Sequence, residues 1–132
     1  ILNRTRDRAE QAASLSPRAS VGIVSDVSRA DVVINATSVG MGVDVADADD
    51  LPCDPGLFRP GQVVADLVYH PLETAWMRAA SEREAVVVDG LGMLVEQAAL
   101  QQHLWLGNRA QPDTAVMRSA AVGELRRREA QG

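Results

Sequence analysis

Three short runs of apolar residues punctuate the sequence, DVVINA at 31–36, QVVADLV at 62–68 and AVVV at 85–88, and the stretches between and after them are amphipathic. Such runs, too short for helices, suit strands, and the 31–36 run, which does not alternate, suits one buried on both faces. Strands that take turns with helical stretches build βα units and a mainly parallel sheet. The expected fold class is therefore α/β, with a doubly wound parallel sheet. A chain of 132 residues, 46% apolar, is long enough for one domain with a real core and too short for two ordinary ones.

Further elements follow from local signals. Ile1 to Asn3 reads as the end of a strand, and Thr5 to Leu15 as a helix with Thr5 at its N-cap and Asp7 in its first turn, stopped by Ser16-Pro17. Residues 21–24 read as a short strand and 26–30 as a brief helical turn. Residues 38–60 show no period and carry five acidic residues, so a long loop is expected there, with one short helical turn at most and a solvated acidic stretch from Asp44 to Asp54. Pro71 is expected to begin a helix reaching about Glu82. Gly90 opens another to about Leu106, ended by Gly107-Asn108, and a last amphipathic helix spans 112–128.

Composition narrows the function. A formal charge of −5 and a pI near 4.9 argue against non-specific nucleic-acid binding, while a local basic cluster could still meet a small phosphate. The single cysteine, Cys53, can form no internal disulfide, and no run approaches the roughly 18 apolar residues of a membrane span, which points to a cytoplasmic setting. No metal site is expected: His70 and His103 lack partners at ligand spacing, and Cys53 stands alone. All thirteen basic residues are arginine, so no lysine can act as acid or base in this stretch.

Four segments could carry chemistry. The first is Asn3-Arg4-Thr5 with Arg8, at a strand-to-helix junction. In nucleotide-binding α/β folds an acid at the end of the second strand holds the ribose 2′-hydroxyl of NAD, and arginine accommodates the 2′-phosphate of NADP. Here that position is the neutral Asn3, and Arg4 and Arg8 are spaced to share one side of a first helical turn, although a solvated basic face meets the same spacing more often. The second, Asn35-Ala36-Thr37-Ser38-Val39-Gly40-Met41, follows a buried strand at the end where such sheets bind ligands, and reads equally as an ordinary polar loop. The third, Asp66-Leu67-Val68-Tyr69-His70-Pro71, offers the Tyr69 hydroxyl and the His70 imidazole, the latter more often solvated beside a proline than catalytic. The fourth, Asp89-Gly90-Leu91-Gly92-Met93-Leu94-Val95-Glu96-Gln97, puts two glycines at the mouth of a helix, which suggests that something approaches the backbone there. By periodicity alone Met93 and Leu94 fit core positions better than cofactor contacts, and Gln97 with Gln101 fits an exposed face. The glycine-rich phosphate loop that opens a dinucleotide-binding unit is absent.

Taken together and in order, NRT at 3–5, DVVINATSVGM at 31–41, DLVYHPLET at 66–74 and DGLGMLVEQAA at 89–99, followed by HLWLG at 103–107, resemble the shikimate dehydrogenase family over essentially the whole chain. The resemblance implies a Rossmann-like doubly wound sheet, here incomplete on its N-terminal side, within a two-domain enzyme that reduces 3-dehydroshikimate to shikimate with NADPH and without metal. It implies that Asn3, Arg4, Thr5 and Arg8 hold the 2′-phosphate and ribose of NADP, that Ala36 and Thr37 line the adenosine and pyrophosphate path, and that Leu67, Gly90 and Met93 border the nicotinamide. Tyr69 and Gln97 would bind the substrate. The lysine and aspartate that handle the proton, the N-terminal substrate domain and the first Rossmann strand are expected upstream of residues 1–132. A C-terminal NADP-binding domain with C-terminal helices, inactive by itself, is the expected content of this chain. The resemblance leaves a homodimer open and implies neither nucleic acid nor membrane as a partner. An NAD-dependent quinate/shikimate dehydrogenase shares the glycine-containing elements, and a non-catalytic nucleotide-binding paralogue is the other alternative.

Overall fold

The apolar runs form three parallel strands, β1 (Val32–Asn35), β2 (Val63–Asp66) and β3 (Val86–Val88), hydrogen-bonded in the order β1-β2-β3. This computed structural model describes residues 1–42, 51–109 and 111–130, so most of the acidic stretch between Asp44 and Asp54 lies outside the described residues. Val32 lies beside Val63 and Val63 beside Val86, and side chains alternate along a strand. One face of the sheet therefore carries Val33, Asn35, Val64, Asp66 and Val87, and the other Val32, Ile34, Val63, Ala65, Val86 and Val88.

The first face is covered. Val64 is fully buried in a core with Val27, Phe58, Trp76, Ala80 and Ala85. Phe58 and Trp76 meet edge to face with ring centroids 5.4 Å apart, the arrangement aromatic quadrupoles prefer. Trp76 and Ala80 come from α2 (Ala75–Glu82). Gln62, wholly buried, donates from Nε2 to the carbonyls of Val27 and Ala30 at 2.7 Å each and so ties the start of β2 to a 3₁₀ turn at Val24–Arg29.

The second face is bare, which corrects the expectation that the 31–36 strand is buried on both sides: Val32 and Ile34, like Val86 and Val88, are 47–58% exposed. An unbroken apolar run shows that either face of a strand tolerates burial, but only a packed element buries it, and among the described residues none lies over this face.

Three further expectations are corrected. Residues 21–24 form no strand, and neither do residues 1–3. The two stretches touch where Gly22 N donates to Ile1 O (3.0 Å) and Ile1 N to Ser20 O (2.7 Å). Asp26 then accepts from Ile23 N at 2.8 Å and turns the chain into the 3₁₀ segment, a local capture that outweighs the β-branched preference of Ile23 and Val24. At Asn3 the side-chain oxygen accepts from Thr5 N (2.9 Å) and bends the backbone toward α1 (Arg6–Ala13), for which Thr5 is the extended N-cap residue without a side-chain bond. Pro71 does not begin α2. The hydroxyl of Thr74 accepts from Met77 N at 3.2 Å and caps the helix there, so that it begins at Ala75, four residues later than the proline suggested.

The two C-terminal helices match their expected places. α3 (Gly90–Leu106) starts from Asp89 and stops at Gly107, whose φ of 59° a glycine adopts without strain. α4 (Thr114–Glu129) is capped by Asp113, which accepts from Ala115 N and Val116 N. The two helices pack through Leu91, Val95 and Leu125, with Leu72, Leu94, Met117, Ala121 and Val122 around them. No helix among the described residues is long and apolar enough to cross a membrane.

Candidate functional site

The sites in open parallel sheets lie beyond the carboxyl ends of the strands, and three of the four segments meet there. β1 ends at Asn35 and β2 at the neighbouring Asp66, both buried. Asp66 Oδ1 accepts from Asn35 Nδ2 (2.9 Å) and from Val68 N (3.0 Å), and its Oδ2 accepts from the Thr74 hydroxyl (2.8 Å). One carboxylate thus joins the tips of two strands to the loop after β2 and to the cap of α2.

Asn35 carries the network into the second segment. Its Nδ2 also donates to Val39 O at 3.3 Å, and its Oδ1 accepts from Thr37 N (3.0 Å) and from the Thr37 hydroxyl (2.7 Å). The Thr37 oxygen in turn accepts from Val39 N at 3.2 Å. Farther along, Gly42 N donates to His70 O at 2.8 Å and joins the second segment to the third.

The fourth segment is set against the third by the absence of a side chain. A Cβ at Gly90 would stand 2.6 Å from the carbonyl carbon and oxygen of Leu67 and from Val68 O. The close approach that the glycines suggested is thus to the chain's own backbone. Asp89 fixes the mouth of α3, accepting from Gly92 N at 2.8 Å while Arg118 of α4 grips both its oxygens at 3.0 and 2.5 Å. These Arg118 bonds hold the Asp89 carboxyl below the usual aspartate range, against the opposing effect of partial burial.

Among the other expected residues, Ala36, Thr37, Tyr69, Met93 and Gln97 are exposed and Leu67 is half-buried. The first segment is not drawn into this network. The hydrogen bonds of residues 3–8 stay within their own turn and helix among the described residues, and Asn3, Arg4, Thr5 and Arg8 are exposed. Arg6 pairs with Glu10 at 2.8 Å, whereas Arg4 and Arg8 have no ion-pair partner among the described residues. No group of three or more His, Cys, Asp or Glu among the described residues is placed to hold a metal.

The sequence segments contain Asn35, Asp66, Thr74 and Asp89 without a role for any of them, and Arg118 lies outside every segment. The available signal was a polar residue closing an apolar run, at 35 and again at 66, since a buried polar group must find partners. For Arg118 there was none.

The family model described as Shikimate 5'-dehydrogenase C-terminal domain matches residues 90–122. The shikimate dehydrogenase (NADP(+)) of Bacillus subtilis (strain 168) is 37% identical over 132 residues, covering 95% of this chain and 45% of that protein. The crystal structure of shikimate 5-dehydrogenase from Thermus thermophilus in complex with NADP(H) and shikimate is similar at a TM-score of 0.77 and 34% identity, over 90% of this chain and 43% of that one. Quinate dehydrogenase from Corynebacterium glutamicum in complex with NAD is similar at a TM-score of 0.73 and 29% identity, over 89% of this chain and 43% of that one. The chain therefore spans less than half the length of these relatives, and its three strands are part of a Rossmann-like α/β fold whose sheet is incomplete in these residues.

Proposed function

The chain belongs to the shikimate dehydrogenase family, as a counterpart of its C-terminal part, and from that premise we propose that the protein carries out the NADPH-dependent reduction of 3-dehydroshikimate to shikimate, in the cytoplasm. The observation that carries this reading is the meeting of the loops after β1 and β2 with the mouth of α3, beyond the carboxyl ends of parallel strands. The names of the relatives support the substrate and the cofactor.

The residues present fit a nicotinamide dinucleotide phosphate. Arg4 and Arg8 are exposed and unengaged by acids of the described residues, and the neutral Asn3 puts no carboxylate where a 2′-phosphate would sit. In this reading Arg4 and Arg8 clamp the 2′-phosphate, Asn3 and Thr5 border its ribose, and Ala36 and Thr37 line the adenosine and pyrophosphate path. Leu67, Gly90 and Met93 form the wall beside the nicotinamide, which when bound supplies the hydride. Tyr69 and Gln97 hydrogen-bond the substrate and orient its ring, so this part of the protein contributes by positioning. The proton for the new hydroxyl comes from a lysine and aspartate in an N-terminal substrate domain outside these 132 residues, which by themselves would not turn over.

The full-length protein should oxidise shikimate with NADP⁺ in preference to NAD⁺. Arg4→Ala should weaken NADPH by roughly tenfold or more, the loss of a charge-assisted contact, and leave NADH within about twofold. A preference for NADH with quinate would favour the second reading, a quinate dehydrogenase, to which the likeness to the Corynebacterium glutamicum enzyme gives weight. Equal loss for both cofactors would remove Arg4 from the phosphate site, and binding of NADP⁺ without turnover of either acid would indicate a non-catalytic paralogue.

A further inference from the structure

The network around Asp66 fixes more than the position of Thr37; it fixes the direction in which the Thr37 hydroxyl bonds. A carboxylate accepts and does not donate. Asp66 therefore compels Asn35 to present Nδ2 toward it (2.9 Å), the same nitrogen that meets Val39 O, and the amide orientation leaves Oδ1 for Thr37 N at 3.0 Å. Independent partners at both ends of the amide agree on that orientation. The Thr37 hydroxyl then faces an acceptor at 2.7 Å and must give its proton to it. One of its two lone pairs is taken by Val39 N at 3.2 Å. A hydroxyl has one donor and two acceptor sites, so what Thr37 has left is a single lone pair.

We infer that Thr37 recognises the nucleotide as a hydrogen-bond acceptor, and that Asp66, acting through Asn35, is the positioning residue that sets this polarity. Resting on the cofactor reading above, the inference specifies its partner: an N–H or O–H on the adenosine half of the cofactor, not a phosphate oxygen, which can only accept. Adenosine 2′-phosphate offers two such donors, the 6-amino group of the base and the 3′-hydroxyl of the ribose.

The test measures binding of NADP⁺ to the full-length protein by calorimetry, beside two analogues that each lack one donor: the hypoxanthine analogue, with a carbonyl in place of the amine, and the 3′-deoxyadenosine analogue. Thr37→Val should weaken NADP⁺ by roughly fivefold to tenfold, the cost of one hydrogen bond, and Thr37→Ser should bind within about twofold of the wild type. One of the two analogues should bind the wild type and Thr37→Val equally, which identifies the donor; that non-additivity is a readout a merely disordered loop would not produce. No loss of NADP⁺ affinity in Thr37→Val would overturn the inference. So would the same loss on NADP⁺ and on both analogues, since the hydroxyl would then be meeting a phosphate or only bracing its loop. Failure of the wild-type protein to bind NADP⁺ at all would strike the cofactor reading itself, a result distinct from either.

Discussion

Gly90→Ala is expected to destabilise the full-length protein by about 1–3 kcal/mol, the usual cost of forcing a methyl into a filled site, and to reduce shikimate turnover sharply. The added Cβ would lie 2.6 Å from three backbone atoms of Leu67 and Val68, which cannot rotate aside as a side chain would. Either the mouth of α3 or the loop after β2 must move, and both carry residues assigned to the nicotinamide and the substrate. Gly123→Ala in α4 is the control. No heavy atom lies within 4 Å of the added carbon there, so the better helix propensity of alanine should leave stability unchanged or raise it by up to about 1 kcal/mol. Urea unfolding of the two variants should show midpoints displaced in opposite directions or only Gly90→Ala displaced. An unaltered midpoint for Gly90→Ala would mean that the close contact is not held in solution.

Asp66→Ala is expected to cost more. It removes the acceptor for Asn35 Nδ2, Val68 N and the Thr74 hydroxyl around a carboxylate only 1% exposed. Each buried donor left unpaired costs about 1–3 kcal/mol, so a total of about 3 kcal/mol or more is expected, a large part of the roughly 5–15 kcal/mol of a typical domain. Asp66→Asn should be milder. Its carbonyl oxygen can still serve Asn35 and Val68, and the conflict is confined to an amide facing the Thr74 hydroxyl, which could turn to accept. Equilibrium unfolding should therefore rank wild type above Asp66→Asn above Asp66→Ala. A loss under about 1 kcal/mol for the alanine variant would show that water reaches and satisfies the three donors.

Much of the architecture was legible because its causes are local. The runs at 31–36, 62–68 and 85–88 contain the three strands, α3 begins after Asp89 and ends at Gly107, and the apolar and capping residues responsible stand next to the elements they define. Local reading failed where a nearby side chain competed with backbone preference. Asp26 captured Ile23 N and started the expected helical turn at Val24, inside the run expected as a strand, and Thr74 rather than Pro71 supplied the first bond of α2. The motif segments were legible as candidates, and three of them do come together at the strand ends.

The sequence by itself determined the residue types at the site: the neutral Asn3 between apolar residues and arginines, the glycine at 90, the amide at 35 and the acid at 66. Tertiary structure decided what those residues do. Asp66 meets Asn35 across 31 positions of chain and Arg118 meets Asp89 across 29, and only the parallel register of β1 with β2 and the packing of α4 on α3 create those partners. Burial was decided at the same level. Val33 and Val32 are the same residue in the same run, yet Val33 packs toward the core around Trp76 and Val32 stays 53% exposed, because the pleat turns alternate side chains to opposite faces and, among the described residues, only one face has anything packed against it.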